Sequence, residues 1–188
     1  RLEPEGRAVW TLKYPAAFAP HVWRAAWEHD VDPLLMLAVM RVESRYRHDA
    51  VSRAGALGLV QIMPATGHRV AALLGDSDFR VDRLLEPGLN SRLGTFYLGE
   101  LIRRFGDRQF ALAVGSYNGG PHNIGRWLAE KTGMPFEEFV EEIQFRETRA
   151  YTRRVLEYYA VYCEIYGDGA WPLLPDRTAA DDPSVINF

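Results

Sequence analysis

LLMLAVMRVESRY (Leu34–Tyr46) is the stretch of the sequence that decides the fold. Eight of its first nine residues are apolar, which is typical of a helix that is buried on most of its surface. Asp32 and Pro33 come directly before it, and they suit the N-cap and the first position of a helix. The stretch therefore predicts a buried helix that begins at Pro33 and ends at about Ser44 or Tyr46.

Helical patterns recur along the rest of the chain, whereas strand patterns are scarce. Apolar residues at helical spacing predict a long helix over about residues 89–105 and a last helix over about residues 151–165, each followed by a glycine. Shorter helices are predicted at about residues 16–29, 64–75, 108–117, 123–130 and 136–143. No alternating run of Val, Ile and Thr is bounded by turns. The sequence therefore predicts an all-α fold.

The length and composition predict one globular domain with ragged ends. The chain has 188 residues, of which 47% are hydrophobic and 25% are charged. Residues 1–15 are predicted to be an irregular lead-in, and residues 16–167 to be the domain itself. Residues 168–188 are rich in Pro and Asp, and we expect this tail to wrap the surface or to be partly loose.

Composition also excludes several classes of function. The net charge is −3 and no Lys/Arg run is present, so a nucleic-acid partner is not expected. No apolar run approaches the roughly 20 residues of a transmembrane helix, so none is expected in this stretch of chain. The single cysteine, Cys163, excludes an internal disulfide framework. The five histidines show no metal-ligand spacing, and neither a metal nor a cofactor is predicted.

Glu43 is the unusual residue of the first helix. Leu35, Val39 and Glu43 follow one another at four-residue spacing, so the carboxyl group continues the apolar face. Burial and the negative end of the helix dipole both raise the pKa of such a carboxyl group, as a general acid requires. The competing interpretation is an exposed Glu43 paired weakly with Arg47. Position alone does not decide between the two.

Two glycine-containing segments carry further polar candidates. In VSRAGALGLVQI the glycines allow a ligand close to the backbone, and Ser52 and Gln61 can hydrogen-bond a neutral polar ligand. The alternative is an ordinary turn. GSYNGGP places Tyr117 and Asn118 at the end of a helix, where they would lie at the rim of a cleft. The alternative there is a plain helix stop.

Three other features are interpreted as mainly structural. Glu147 comes at the start of the last predicted helix, where a carboxylate stabilises the positive helix end, and we favour such a supporting role over direct catalysis. Cys163 lies within a tyrosine-rich stripe and is expected in the core. The chain has five Trp, nine Tyr and nine Phe, most of which are expected in the core and some of which could stack on sugars.

Four short motifs occur in the order that is typical of lytic transglycosylases: ES, GLVQIMP, SYNGGP and ETRAY. Over about residues 14–166 the chain resembles the catalytic domain of the soluble (Slt-type) lytic murein transglycosylases. The family has a goose-type-lysozyme-like helical fold with a substrate groove. The motifs differ from the usual GLMQ and AYNAGP at Val60, Ser116 and Gly119, and Tyr46 stands where many members have Trp or Phe.

The resemblance implies cleavage of the β-1,4 bond between N-acetylmuramic acid and N-acetylglucosamine in peptidoglycan, leaving a 1,6-anhydro ring and using no cofactor. It implies that Glu43 is the single catalytic acid and base. The residues that it implies contact the substrate are Ser52, Gln61, Met63, Tyr117 and Asn118. Those implied to support the site are Glu147 and Tyr151. The implied partner is the peptidoglycan glycan strand, and the implied location is the periplasm or cell envelope.

Other functions remain open from the sequence. Most glycosidases use two carboxylates, whereas this chain offers one convincing acid, which favours assistance by the acetamido group of the substrate. A goose-type-lysozyme-like hydrolase would use the same acid and let water attack. A non-catalytic glycan-binding domain would keep the groove and release no product.

Overall fold

The computed structural model describes residues 4–170 and 173–182, with the backbone alone for residues 4–7. Within these ranges the chain forms nine α-helices and two 3-10 helices, together with isolated β-bridges and no strand. The prediction of an all-α fold is therefore confirmed. The α-helices are α1 (Pro4–Lys13), α2 (Ala19–His29), α3 (Pro33–Glu43), α4 (Pro64–Leu73), α5 (Pro87–Phe105), α6 (Phe110–Gly119), α7 (Pro121–Glu130), α8 (Phe136–Glu141) and α9 (Arg146–Tyr166). The 3-10 helices are Val81–Leu85 and Asp107–Gln109.

Prolines begin several of these helices, because a proline needs no hydrogen-bond acceptor for its nitrogen in the first turn. Helix α3 shows the predicted start: Pro33 is its first residue, and the Asp32 carboxylate accepts a hydrogen bond of 2.7 Å from the backbone N–H of Leu34. The helix ends at Glu43, with Ser44 as the residue that follows it.

The prediction of an irregular lead-in over residues 1–15 is wrong for residues 4–13, which form α1. Contacts that are distant in sequence hold the end of this helix. The Arg41 guanidinium donates a 2.7 Å hydrogen bond to the carbonyl oxygen of Lys13, and its carbon lies 4.1 Å from the centre of the Tyr14 ring. A helix of ten residues is marginal alone, so such contacts decide whether it forms.

The chain divides into two compact units, one made of Arg1–Tyr97 with Tyr158–Ala170 and the other of Leu98–Glu157 with Trp171–Phe188. In the first unit α3 packs against α2, and Leu37 and Val39 are fully buried. In the second unit α6 packs against α7, and every residue from Phe110 to Ser116 is buried. Burial of one such large apolar side chain contributes about 1.5–3 kcal/mol. The predicted domain boundaries at residues 16 and 167 stay a prediction.

The described part of the C-terminal tail is held on the second unit. The Arg104 guanidinium donates two hydrogen bonds, of 2.8 and 3.0 Å, to one carboxylate oxygen of Asp181. The backbone N–H of Thr178 donates to the carbonyl oxygen of Met134 at 2.9 Å. Residues 173–182 thus lie along the surface of the second unit, which agrees with the first of the two alternatives, a tail that wraps the surface. None of the helices in the described ranges is long and apolar enough to span a bilayer.

Candidate active site

Glu43 is the last residue of α3 and is half-buried. The residues one and two turns before it on the same line, Val39 and Leu35, are buried in the first unit. The carboxyl group therefore lies where the apolar face of the helix reaches the surface. The interpretation of an exposed surface glutamate does not fit this burial. The exposed Arg47 side chain places its Nε 3.6 Å from a carboxylate oxygen of Asp49.

The backbone directly after α3 has an unusual conformation. Arg45 and Tyr46 have φ angles of 51° and 66°, in the left-handed region that side chains other than glycine rarely occupy. The Tyr46 hydroxyl forms a hydrogen bond with the hydroxyl of Tyr162 on α9. Burial, and next this hydrogen bond, raise the pKa of Tyr162, so its phenol stays protonated. Local backbone strain of this kind is found at functional sites, where surrounding contacts maintain it.

The side chains of Ser52 and Gln61 form hydrogen bonds that hold the loop over residues 51–62 together. The Ser52 hydroxyl oxygen accepts a 2.9 Å hydrogen bond from the backbone N–H of Ala56, which leaves its proton available to donate. The Gln61 side-chain nitrogen donates to the carbonyl oxygens of Gly58 and Ala50, at 2.8 and 3.2 Å. Both amide protons are thereby used, so Gln61 can serve a ligand through its carbonyl oxygen.

Asn90 fixes this loop from α5 and was missed by sequence reasoning. Its side chain is fully buried, and its oxygen accepts a 2.9 Å hydrogen bond from the backbone N–H of Val60. Its nitrogen donates to the carbonyl oxygens of Leu57 and Leu84, at 3.0 and 2.8 Å. Gly58 lies against this amide, since a Cβ atom there would be 2.4 Å from the Asn90 nitrogen. The sequence did contain a signal for this role: Asn90 is a polar residue on the apolar face of a predicted helix, and a buried amide needs hydrogen-bond partners.

Met63 and Val60 lie in the same segment and differ in exposure. Met63 precedes α4 and is 42% exposed, so its thioether is accessible to a ligand. Val60, which replaces the methionine usual in the family pattern, is fully buried. The replacement of methionine by Val60 therefore affects packing inside the first unit. The exposed methionine of the family pattern, Met63, is retained.

In the second unit, Tyr117 is half-buried and Asn118 is exposed, both in the last turn of α6. The buried Thr148 of α9 donates a 2.8 Å hydrogen bond to the side-chain oxygen of Asn118. This contact orients the amide and leaves its nitrogen available to donate. Gly119 makes room for it, because a Cβ atom there would lie 2.7 Å from the Thr148 methyl carbon.

Glu147 and Tyr151 occupy the start of α9. Glu147 is exposed in the first turn, the position in which a carboxylate stabilises the positive end of a helix. Tyr151, one turn later, is buried. Thr148, the second residue of the ETRAY motif, links this motif to Asn118 through its side-chain hydrogen bond.

The transglycosylase SLT domain family model matches residues 21–140. The chain belongs to this family. The first-unit candidates Glu43, Ser52, Gln61 and Met63 and the second-unit residues Tyr117 and Asn118 all lie in the matched part of the SLT domain. The resemblance inferred from the four motifs is thereby confirmed.

Known lytic transglycosylases are similar to this SLT domain in sequence and in fold. The soluble lytic murein transglycosylase of Salmonella typhimurium is 34% identical over 157 residues, which are 82% of this chain and 24% of that protein. An inactive mutant of the lytic transglycosylase Slt from Pseudomonas aeruginosa, with glutamine in place of a glutamate, superposes with a TM-score of 0.82 at 30% identity, over 90% of this chain and 28% of that one. Slt70 of Escherichia coli superposes with a TM-score of 0.80 at 32% identity, over 85% and 26%. The chain spans about a quarter of the length of these relatives.

The SLT domain shows no group of three metal-ligating side chains among its described residues. Cys163, predicted to be a core residue, is buried in α9. Burial, and next the charge of Asp32, raise the pKa of its thiol to about 11. Such a thiol is neutral at physiological pH and is a poor nucleophile.

Proposed function

We propose that this SLT domain is a peptidoglycan lytic transglycosylase that cleaves the β-1,4 bond between N-acetylmuramic acid and N-acetylglucosamine. The observation that carries the proposal is the placement of Glu43 in the family-matched part of the chain, half-buried at the end of a buried apolar helix. The names of the relatives support it, since they are lytic transglycosylases. The inactivity of a relative in which glutamine replaces a glutamate supports an essential acid.

In the first step, protonated Glu43 gives its proton to the glycosidic oxygen while the bond from that oxygen to the anomeric carbon of the muramic sugar breaks. The oxygen leaves as the 4-hydroxyl group of N-acetylglucosamine. The carbonyl oxygen of the 2-acetamido group stabilises the positive charge that develops at the anomeric carbon. A second protein carboxylate is then unnecessary.

In the second step, the Glu43 carboxylate takes the proton of the 6-hydroxyl group of the same sugar as its oxygen bonds to the anomeric carbon. This closes the 1,6-anhydro ring, restores protonated Glu43 and consumes no water. An internal hydroxyl group competes well with water because its effective concentration at the anomeric carbon is very high.

The polar side chains have complementary roles in this proposal. Ser52 donates a hydrogen bond to a sugar oxygen, and Gln61 accepts one from a sugar hydroxyl or amide. The free amide protons of Asn118 donate to a sugar carbonyl, and Tyr117 orients the acetamido group. Met63 gives an apolar contact. Since the substrate is peptidoglycan, we place the protein in the periplasm or cell envelope, with glycan strands as its partner.

Digestion of purified peptidoglycan followed by mass spectrometry tests the proposal. We expect muropeptides with anhydro ends, which are one water lighter than the products of a hydrolase. A product that carries the extra water would instead establish a lysozyme-like hydrolase. Binding without any product would establish a glycan-binding domain.

The role of Glu43 is tested by Glu43→Gln with Glu130→Gln as the matched control. Both glutamates end a helix, but Glu130 is exposed at the end of α7. We expect Glu43→Gln to keep its thermal midpoint and its glycan binding and to lose cleavage, because an amide cannot donate the proton. Glu130→Gln should cleave as the parent does. Near-parental turnover by Glu43→Gln would refute the assignment.

A further inference from the structure

Two tryptophans on α2 are exposed on one face of the helix. Trp27 is 89% exposed and Trp23 is 39% exposed. Their four-residue spacing places both indole rings on the same side of the helix. The opposite side of α2 is buried, so the helix is already anchored without them. Tryptophan is highly buried on average, and an adjacent exposed pair marks an interaction surface.

A shallow cavity of about 280 Å³ lies beside the two indole rings. It is lined by Trp23, Ala26, Trp27, Asp30, Val31 and Pro33, and we call these six residues the indole patch. Asp30 is its only ionisable member, and none is cationic. Among the described residues, the Asp30 carboxylate has no hydrogen bond or ion pair, while its backbone N–H bonds to Ala26 in a left-handed conformation of φ 56°.

We propose that the indole patch binds a sugar unit of an N-acetylated glycan strand, as a second contact that takes no part in the chemistry. A pyranose ring has a face of C–H groups and a rim of hydroxyl groups. The C–H face can be buried against Trp27, the more exposed of the two rings, and a rim hydroxyl can donate to the carboxylate of Asp30. An apolar surface with one well-placed polar group suits a neutral sugar, and the absence of a cation among the six residues disfavours phosphate.

The position of the patch suits a polymeric substrate. Pro33, in the patch, begins α3, and Glu43 ends the same helix. The helix has eleven residues, and ten rises of about 1.5 Å separate its first residue from its last by about 15 Å. A strand held at a second point keeps a high local concentration near the first, so the apparent affinity for a polymer rises without any new contact at the acid. This inference rests on the proposed function, which supplies the glycan.

The first experiment measures co-sedimentation with purified, insoluble peptidoglycan, in the Glu43→Gln background so that the polymer is not consumed. We expect Trp27→Ala to bind about tenfold more weakly, and Trp27→Tyr to recover much of the loss because it keeps an aromatic face. Leu12→Ala is the control, since Leu12 is an exposed apolar residue of α1 with 85% exposure and lies outside the patch. Equal affinity of Trp27→Ala and its parent would overturn the proposal.

The second experiment titrates the same proteins with a soluble N-acetylglucosamine tetramer and follows tryptophan fluorescence. Stacking of a sugar on an exposed indole removes water from it, so we expect a shift of emission to shorter wavelength that Trp27→Ala lacks. Asp30→Asn keeps the backbone conformation, because asparagine tolerates the left-handed region, and should bind more weakly. The proposal would also be overturned if the patch mediated self-association, that is, if Trp27→Ala abolished self-association and left glycan binding unchanged.

Activity separates this inference from the proposed function. With Glu43 intact, we expect Trp27→Ala to cleave short soluble glycan fragments at the parental rate and intact peptidoglycan more slowly. If the parent protein releases no anhydro product, the proposed function fails, while the binding difference between Trp27→Ala and its parent still decides whether the patch holds glycan.

Discussion

The hydroxyl oxygen of Ser44 lies 2.7 Å from the carbonyl oxygen of Leu59, to which it donates a buried hydrogen bond. Ser44 follows Glu43 directly, and Leu59 belongs to the loop that carries Ser52 and Gln61. A single side chain therefore joins the end of the acid-bearing helix to the loop of candidate substrate contacts. The C-terminal end of the helix that carries Glu43 is thereby tied to that loop.

Ser44→Ala should lower both stability and cleavage. The change removes the hydrogen bond and leaves the buried carbonyl group of Leu59 without this donor, which costs about 1–3 kcal/mol. Urea denaturation measures the loss. Thr11→Ala is the control, because it removes an exposed side-chain hydrogen bond to the carbonyl oxygen of Ala8 and should cost less than about 0.5 kcal/mol. Equal losses in the two variants would contradict the prediction.

Gly58→Ala should destabilise the protein far more than Gly55→Ala. Both glycines have positive φ angles, of 80° and 89°, so each alanine incurs backbone strain of about 1–2 kcal/mol. A Cβ atom at Gly58 would also lie 2.3 Å from the carbonyl oxygen of Leu84, whereas nothing lies within 4 Å of one at Gly55. We expect a loss of roughly 3 kcal/mol or more for Gly58→Ala. Calorimetric midpoints that are similar for the two variants would refute this.

Gly119→Ala should be coupled to Thr148. A Cβ atom at Gly119 would lie 2.8 Å from the Thr148 hydroxyl oxygen, and the β-branched side chain has little freedom to move. The variant should break the hydrogen bond between Thr148 and Asn118 and reduce cleavage. In a double-mutant cycle with Thr148→Ala, we expect the alanine at 119 to cost at least 0.5 kcal/mol less than in the parent. Additive effects would contradict the predicted clash.

The helices could be predicted from the sequence because their signals are local. The N-cap at Asp32, the proline after it and the glycine after α5 each act within one turn of the chain. Helix α1 and the loop amide Asn90 could not be predicted in this way, since distant partners hold them. The same holds for the candidate site. The motifs point to Glu43 directly, whereas the hydrogen bond from Thr148 to Asn118 joins residues 30 positions apart and becomes visible only in the structure.

Cys163 should resist thiol reagents in the native protein. With a pKa of about 11 in place of about 8.5, its thiolate fraction at pH 8 is smaller by about 200-fold, and burial slows the reaction further. Labelling with a chromogenic disulfide should therefore be at least a hundredfold slower than in urea. Because the pKa of the thiol is higher in the folded protein than in the unfolded chain, the neutral thiol favours the folded state. This contribution to the free energy of unfolding is complete below about pH 8.5 and is lost as the pH rises toward 11. Rapid native labelling at pH 8 would refute the prediction.

Asn90 has a consequence for the chemical ageing of the protein. Its nitrogen meets two carbonyl oxygens, those of Leu57 and Leu84, while its oxygen meets an N–H group. Conversion of the side-chain amide to the carboxylate of aspartate would keep nearly the same shape but place an oxygen facing both carbonyl groups. Because this exchange of one atom turns two attractions into repulsions, an aged molecule would hold the loop less firmly against α5.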